Sequence, residues 1–327
     1  MADASSTRVR FSVVSFSPKG TRVVVVGSCP ELGDWRVDGA PAMSGRLCGG
    51  RLQSEPDFYW VDVELGRGGR VEYKFVEVDG EGTRWEQLGD GGNRVLQLDE
   101  RPPPDGAAGP LLLPVERFAG GSESDHTGRF YSGVKERQEI SVRKVLGQIF
   151  LGSCPRKRSH IDYLKSLGIT VVVNFQTEED CRRNFVEGIG MEEDALAVSR
   201  EYESRGMEYI WMPTFDMSTD GRAQMLPQGS HIFASLVQRG HVIYSHCNAG
   251  VGRSVAAVCG YLTFALGLSP RRMQHVVAMA RPVSFFDFEA LDRARPHYEA
   301  MFGRACRGDQ PSEAALLAEA NAIIEMA

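Results

Sequence analysis

The stretch YSHCNAGVGRSVAA, Tyr244 to Ala257, sets Cys247, two glycines, Arg253 and Ser254 into one short segment. Before it lies HVIYSH, an apolar run that predicts a strand, and after it SVAAVCGYLTFALG, whose apolar positions run nearly all round a buried helix. A glycine-rich bend between strand and helix can wrap successive N–H groups around one oxyanion, with the helix dipole behind them. Asn248, Ala249, Gly250, Val251 and Gly252 supply those amides, and Arg253 can grip two phosphate oxygens in a fork. The same field favours the thiolate of Cys247, since a thiol at a helix N-terminus beside cations titrates at roughly 3.5 to 7.5 instead of ~8.5. A thiolate under a phosphate is poised for in-line attack. His246 would help set the turn, and Ser254 can hydrogen-bond the sulfur and ease its departure. No metal or other cofactor is called for, because the loop amides and Arg253 stabilise the charge.

HCNAGVGRS resembles the HCxxGxxR[ST] signature of the cysteine-based protein tyrosine and dual-specificity phosphatases. The resemblance implies a cysteinyl-phosphate intermediate and an aspartic acid on an upstream loop to protonate the departing oxygen. WMPTFDMSTDGR offers Asp216, 31 positions before Cys247, and the neighbouring Asp220. Asp216 is favoured because it follows a strand-ending proline turn, whereas Asp220 in STDG reads as turn chemistry.

The flanking elements must hold this loop. QIFLGS, ITVVVNF and MEYIWMP read as strands; SHIDYLKSLG, closed by Gly168, LPQGSHIFASLVQRG and SPRRMQHVVAMARP read as helices, the last with Ser269 as N-cap and Pro270 at its first position. Strands alternating with helices predict an α/β domain with a central, mainly parallel sheet flanked by helices. The first hundred residues differ. RVRFSVVSF, TRVVVVGS, FYWVDVEL, RVEYKFVEV and NRVLQL are short β-branched and aromatic runs between turns, which predicts an all-β sandwich or barrel. RPPPDGAAGP and GGSESDHTG, around one last strand-like run LLLPV, mark the boundary.

Composition bounds the rest. At 327 residues two domains are expected, and a net charge of −6 gives no reason to expect nucleic acid or an anionic membrane as partner. No apolar run approaches the roughly 20 residues of a membrane span, and the N-terminus shows no secretory signal. Seven cysteines, at 29, 48, 154, 181, 247, 259 and 306, form no CxxC pair, so a reducing, cytoplasmic setting is expected, without a disulfide framework or structural zinc.

GSCPELGDW, FYWVDVEL, EYKFVEV and RWEQLGDGGNR, in that order, resemble the family 20 carbohydrate-binding modules, which bind starch and glycogen. The resemblance implies that Trp35, Lys74, Trp85 and Asn93 contact sugar; Trp60 is instead expected to pack inside. Glucan-binding module followed by phosphatase domain is the arrangement of the glycogen phosphatases, and GSCPR, VNFQTE, YIWMPT, DMST and QMLPQ are similar to segments of that family. It covers roughly residues 8 to 305 and implies a module over 8–115, a linker over 116–140, a phosphatase domain over 141–305 and a tail over 306–327 that could be helical. The leader MADASST lies outside it. Phe285 and Phe286 stand where a residue lining the glucan cleft is expected, and Phe302 lies in a segment through which such proteins can form a homodimer, although a buried helix residue explains it equally. The implied partner is a glycogen- or starch-like polysaccharide. Two other readings stay open: a protein phosphatase that the module carries to glycogen, and a glycogen-bound scaffold with secondary catalysis.

Overall fold

The computed structural model describes residues 6–16, 20–46, 55–89, 91–99, 109–119, 126–136, 138–184, 197–303 and 311–325. The leader up to residue 5 and most of RPPPDGAAGP and GGSESDHTG fall outside them. The chain divides into an N-terminal unit, which runs to His126 and also takes in the chain from Ile324, and a C-terminal unit over Thr127–Ile323.

The N-terminal unit is a β-sandwich. Its strands are β1 (Ser6–Ser15), β2 (Arg22–Gly27), β3 (Ser44–Arg46), β4 (Asp57–Gly66), β5 (Arg70–Asp79), β6 (Gly82–Trp85), β7 (Arg94–Gln97) and β8 (Leu111–Arg117). One sheet has the order β3-β4-β1-β8, with β8 parallel to β1; the other runs β2-β5-β6, and β7 also pairs with β5. Ser6 and Thr7 of the expected leader belong to β1, paired with Gly66 and Leu65. Alternation decides what each strand buries. Val9, Phe11 and Val13 of β1 and Tyr59, Val63 and Leu65 of β4 meet Val23, Val25, Tyr73 and Phe75 from the facing sheet. Phe11 lies edge-on to Tyr73, with ring centroids 4.9 Å apart. Trp60 corrects the expectation of an inward tryptophan: the strand's period of two turns it away from Tyr59, and it is half-buried, stacked on Phe58 at 5.8 Å. On that outer face Arg10 forks Asp62 with Nε and Nη2 at 2.6 and 2.9 Å.

The C-terminal unit comprises α1 (His126–Glu136), β9 (Val142–Leu146), β10 (Ile149–Gly152), α2 (Arg158–Ser166), β11 (Val171–Asn174), α3 (Glu178–Asn184), α4 (Ala197–Glu203), β12 (Glu208–Trp211), α5 (Thr219–Gln238), β13 (Ile243–His246), α6 (Arg253–Gly260), α7 (Pro270–Ala280), α8 (Phe288–Phe302) and α9 (Pro311–Glu325). Strand order is β12-β11-β13-β10-β9, parallel throughout except for β9. Val171, Val172 and Val173 are fully buried, as expected of strands covered on both faces. Residues expected as linker hold the end of β8 and the whole of α1, and the tail carries α9.

Helix α5 begins earlier than LPQGSHIFASLVQRG implies. Ser218 caps it, Oγ accepting from Gly221 N at 2.9 Å, so STDG is a helix start and not a free turn; Pro227 sits in the helix interior. Phe302 stacks on His231 at 4.0 Å and meets Tyr298 at 5.4 Å, so packing within the domain accounts for its position.

Phe11 is the most direct probe of the sandwich core. Phe11→Ala should lower the protection of β1, β2 and β5 amides against hydrogen exchange by about 3–5 kcal/mol, the usual cost of emptying a buried phenyl site; a loss under ~1 kcal/mol would contradict the packing described.

Candidate active site

Parallel strands bring their C-terminal ends together, where ligand sites of such sheets form. His246 of β13 lies between Asn174 of β11 and Gly152 of β10, and Asn174 is paired with Trp211 of β12. The four loops that follow these strands therefore converge. The loop from Cys247 to Gly252 lies in their midst, leading into α6.

Two close approaches fix its path. Gly250 has φ +67°, and a Cβ there would overlap the carbonyl of Gly152; a Cβ on Gly152 would in turn strike Ser141 O and the Tyr244 hydroxyl. Arg281, buried at the end of α7, holds the loop from behind, donating from Nε to Gly250 O at 2.5 Å and from Nη2 to Ala249 O at 2.7 Å. Cys154 N donates to Asn248 O at 3.0 Å, and Phe285 N to Val251 O at 2.8 Å. The phenyl ring of Phe285 is partly exposed, with the Arg222 guanidinium 5.4 Å from its centroid, while Phe286 stacks on Phe288.

Cys247, Arg253, Ser254 and Asp216 are brought together. Cys247 is buried, and Ser254 Oγ donates to its Sγ at 3.3 Å. Burial alone would raise this thiol, but the Arg253 charge and the Ser254 hydroxyl and amide outweigh it and hold the thiol below its ordinary value. Burial pushes Cys154 up to about 12 and Cys181 up to about 11. Burial likewise lowers His246 to about 4, so at neutral pH it is an uncharged imidazole; its Nδ1 lies 3.2 Å from Cys247 O. Its contribution to the loop is therefore orientation and not charge.

Arg253 has no solvent exposure. Nη1 donates to Asp180 Oδ2 at 2.6 Å, Thr214 O at 2.9 Å and Phe175 O at 3.3 Å, and Nη2 to Asp216 Oδ2 at 2.9 Å. Asp216 is half-exposed in the loop after β12, between the exposed Phe215 and Met217. Asp220 lies elsewhere, in the first turn of α5, exposed and paired with Arg293 at 2.7 Å. Its side chain is therefore engaged away from the cysteine loop.

Sequence reasoning missed Asp180, Gln176 and Asn184. Asp180 Oδ1 accepts from Asn248 Nδ2 at 2.8 Å, and Asn248 Oδ1 accepts from Gln176 Nε2 at 2.8 Å and Asn184 Nδ2 at 3.2 Å. Burial works against the Asp180 carboxylate, yet the hydrogen bonds from Arg253 and Asn248 hold it below the usual carboxylate range. The available signal was QTEED directly after the ITVVVNF strand, because a polar loop at the C-terminal end of a parallel strand faces its neighbours' loops.

In the sandwich, Trp35, Lys74 and Trp85 share the outer face of the second sheet. Trp35 packs against Val24, Val26 and Val76; Trp85 is the cross-strand partner of Val76, and Lys74 that of Val26. Asn93 donates to Glu72 Oε2 at 2.8 Å, alongside β5. Trp85 is exposed, and the turn Gly33-Asp34-Trp35 has left-handed φ at all three residues, +81°, +48° and +63°. A non-glycine pair held in that conformation is a feature of ligand-holding turns.

Loop, sheet and sandwich together define a cysteine-dependent phosphatase of the dual-specificity type that carries a starch-binding-type β-sandwich. Family profiles agree: one described as starch binding domain matches residues 6–103, and one described as dual specificity phosphatase, catalytic domain, matches 149–289. Laforin of Mus musculus is 36% identical over 307 residues, which span 86% of this chain and 92% of laforin, and the chain belongs to the laforin family. Phosphoglucan phosphatase LSF1, chloroplastic, of Arabidopsis thaliana is 26% identical over 51% of this chain and 27% of its own length. Glucoamylase-1 of Arthroderma benhamiae is 32% identical over 25% of this chain and 13% of its own.

The electrostatics make a pH prediction. Alkylation of Cys247 by iodoacetamide should rise with pH to a midpoint below the ordinary thiol value and then level off, ahead of Cys154, Cys181 and Cys259, whose thiols burial raises. Arg253→Ala should move that midpoint upward; an unchanged midpoint, read by mass spectrometry of the labelled peptide, would contradict the role of the guanidinium.

Proposed function

We propose that the chain hydrolyses phosphomonoesters on glycogen- or starch-like α-glucan, with residues 8–115 binding the polysaccharide and residues 141–305 carrying the chemistry. The observation behind this reading is a buried cysteine whose thiol is lowered by an adjacent, fully buried arginine, in a chain that also bears two tryptophans on one face of a starch-binding-type sandwich.

In the proposed reaction the Cys247 thiolate attacks phosphorus while the bond from phosphorus to the sugar oxygen breaks. Asp216 gives its proton to that oxygen, so the sugar leaves as a neutral alcohol. The amides from Asn248 to Arg253 and the Arg253 guanidinium hold the equatorial oxygens as their charge shifts. Water, giving a proton back to Asp216, then attacks the cysteinyl phosphate. Sγ leaves as thiolate, steadied by the Ser254 hydroxyl at 3.3 Å, and inorganic phosphate is released.

Substrate choice rests on the other unit. Tryptophan faces stack on glucose rings, and Lys74 and Asn93 offer polar contacts on the same sheet. Holding the polymer there raises the concentration of its phosphate groups around the pocket, as any tether does for a second site. A protein with reduced cysteines suits the cytoplasm, and Cys29, Cys154, Cys181, Cys247 and Cys259 are all free thiols.

Cys247→Ser should abolish phosphate release from phosphorylated amylopectin while the protein still co-sediments with it. Asp216→Asn should lower kcat by roughly 10²- to 10⁴-fold, the usual weight of a general acid. Trp35→Ala should lose activity on amylopectin and keep it on a small soluble phosphoester. Wild-type phosphate release by Cys247→Ser would overturn the mechanism, and equal losses of Trp35→Ala on both substrates would overturn the role of the sandwich.

A further inference from the structure

Two carboxylates grip one buried guanidinium, and they differ in what else they do. Asp180 sits in the first turn of α3, where Thr177 and Asp180 satisfy each other: Asp180 N donates to Thr177 Oγ1 at 3.2 Å, while Thr177 N and Oγ1 donate to Asp180 Oδ2 at 3.2 and 3.0 Å. Its other oxygen takes the Asn248 amide. The side chain is 17% exposed. Asp216 is 48% exposed and on a loop; its Oδ2 accepts from Arg253 Nη2 at 2.9 Å and, at a longer 3.4 Å, from Asn248 Nδ2. On the same edge of the guanidinium, Arg253 Nε is buried and has no hydrogen-bond partner among the described residues.

We propose that Asp180 is the positioning residue of the phosphate pocket: it clamps the Nη1 edge of Arg253 and the side chain of Asn248 together, and so presents the Nε–Nη2 edge to the substrate phosphate. The geometry also assigns the order of events. A phosphate that takes Nε and Nη2 in a fork must displace Asp216 from Nη2, which frees that carboxyl to face the leaving oxygen; Asp180, tied to α3, stays. Asn248 follows Cys247 at the start of the loop and Arg253 opens α6 at its end, so one carboxylate spans the loop. This inference rests on the phosphatase reading above, but not on which phosphoester is the substrate.

The test uses the full chain and an aryl phosphate, with the Cys247 alkylation midpoint as second readout. Asp180→Ala should lower kcat/KM by about 10- to 100-fold, the scale of an ångström-level misplacement. It should also move the Cys247 midpoint up, because the guanidinium drifts from the sulfur. Simple loss of a nearby negative charge would move it down. Thr177→Ala, which removes one bond to the same carboxylate and leaves its clamp on Arg253 and Asn248, should lower Tm comparably and shift the midpoint and kcat/KM much less than Asp180→Ala does. Asp180→Glu should restore part of the activity. A downward or unchanged midpoint in Asp180→Ala, or a Thr177→Ala that reproduces its kinetics, would overturn the assignment. Retained turnover of aryl phosphate by Cys247→Ser would instead sink the catalytic reading beneath it.

Discussion

Arg253 carries a full positive charge with no access to solvent, and the domain is arranged around that charge. Taking a cation out of water costs several kcal/mol unless the protein replaces the lost hydration, and breaking such a buried pair typically costs about 3–5 kcal/mol. Here two carboxylates and two backbone carbonyls, from the segments that follow β11 and β12, supply the acceptors. Against the burial of Cys247, the cation, together with the Ser254 hydroxyl and amide, lowers its thiol. A stabilising device for the fold and an activating device for the nucleophile are thus one interaction.

The sheet makes that interaction possible. The segments after β11 and β12 reach the guanidinium that follows β13 because the three strands are parallel neighbours, with β11 paired to both of the others. Close packing of Gly250 on Gly152 then lets the cysteine loop settle between them, and Arg281 ties its carbonyls from below. Substituents at either glycine would push the loop away from its neighbour. The consequence would be felt at the sulfur, far from any change in the core.

Much of this was legible in the sequence because it is local. Cys247, Arg253 and Ser254 are bound by the spacing of a single strand–loop–helix segment, and Asp216 by the proline turn that ends β12. Asp180 was not, because its meaning depends on a contact with residues 68 and 73 positions away that spacing alone does not encode. Asp220 read as turn chemistry because STDG suits both a turn and a helix start; capping by Ser218 and the ion pair with Arg293 decide it. Trp60 followed the habit of tryptophans to pack inside, whereas the register of β4 against β1 places it on the opposite face from Tyr59. Fold class was clear from the change of period along the chain, and the left-handed turn at Trp35 was not, since asparagine and glycine rather than tryptophan usually signal it.

The contacts described in the pocket are to the nucleophile, the arginine and the loop that would hold a phosphate. Selectivity, in this account, comes from the sandwich, which holds the glucose polymer that carries the phosphate. Competition measures that most directly: kcat/KM of the full chain for phosphate release from phosphorylated amylopectin against phosphotyrosyl and phosphoseryl peptides, each at equal phosphate concentration. The account predicts a clear preference for the glucan; a preference for the peptides would contradict it.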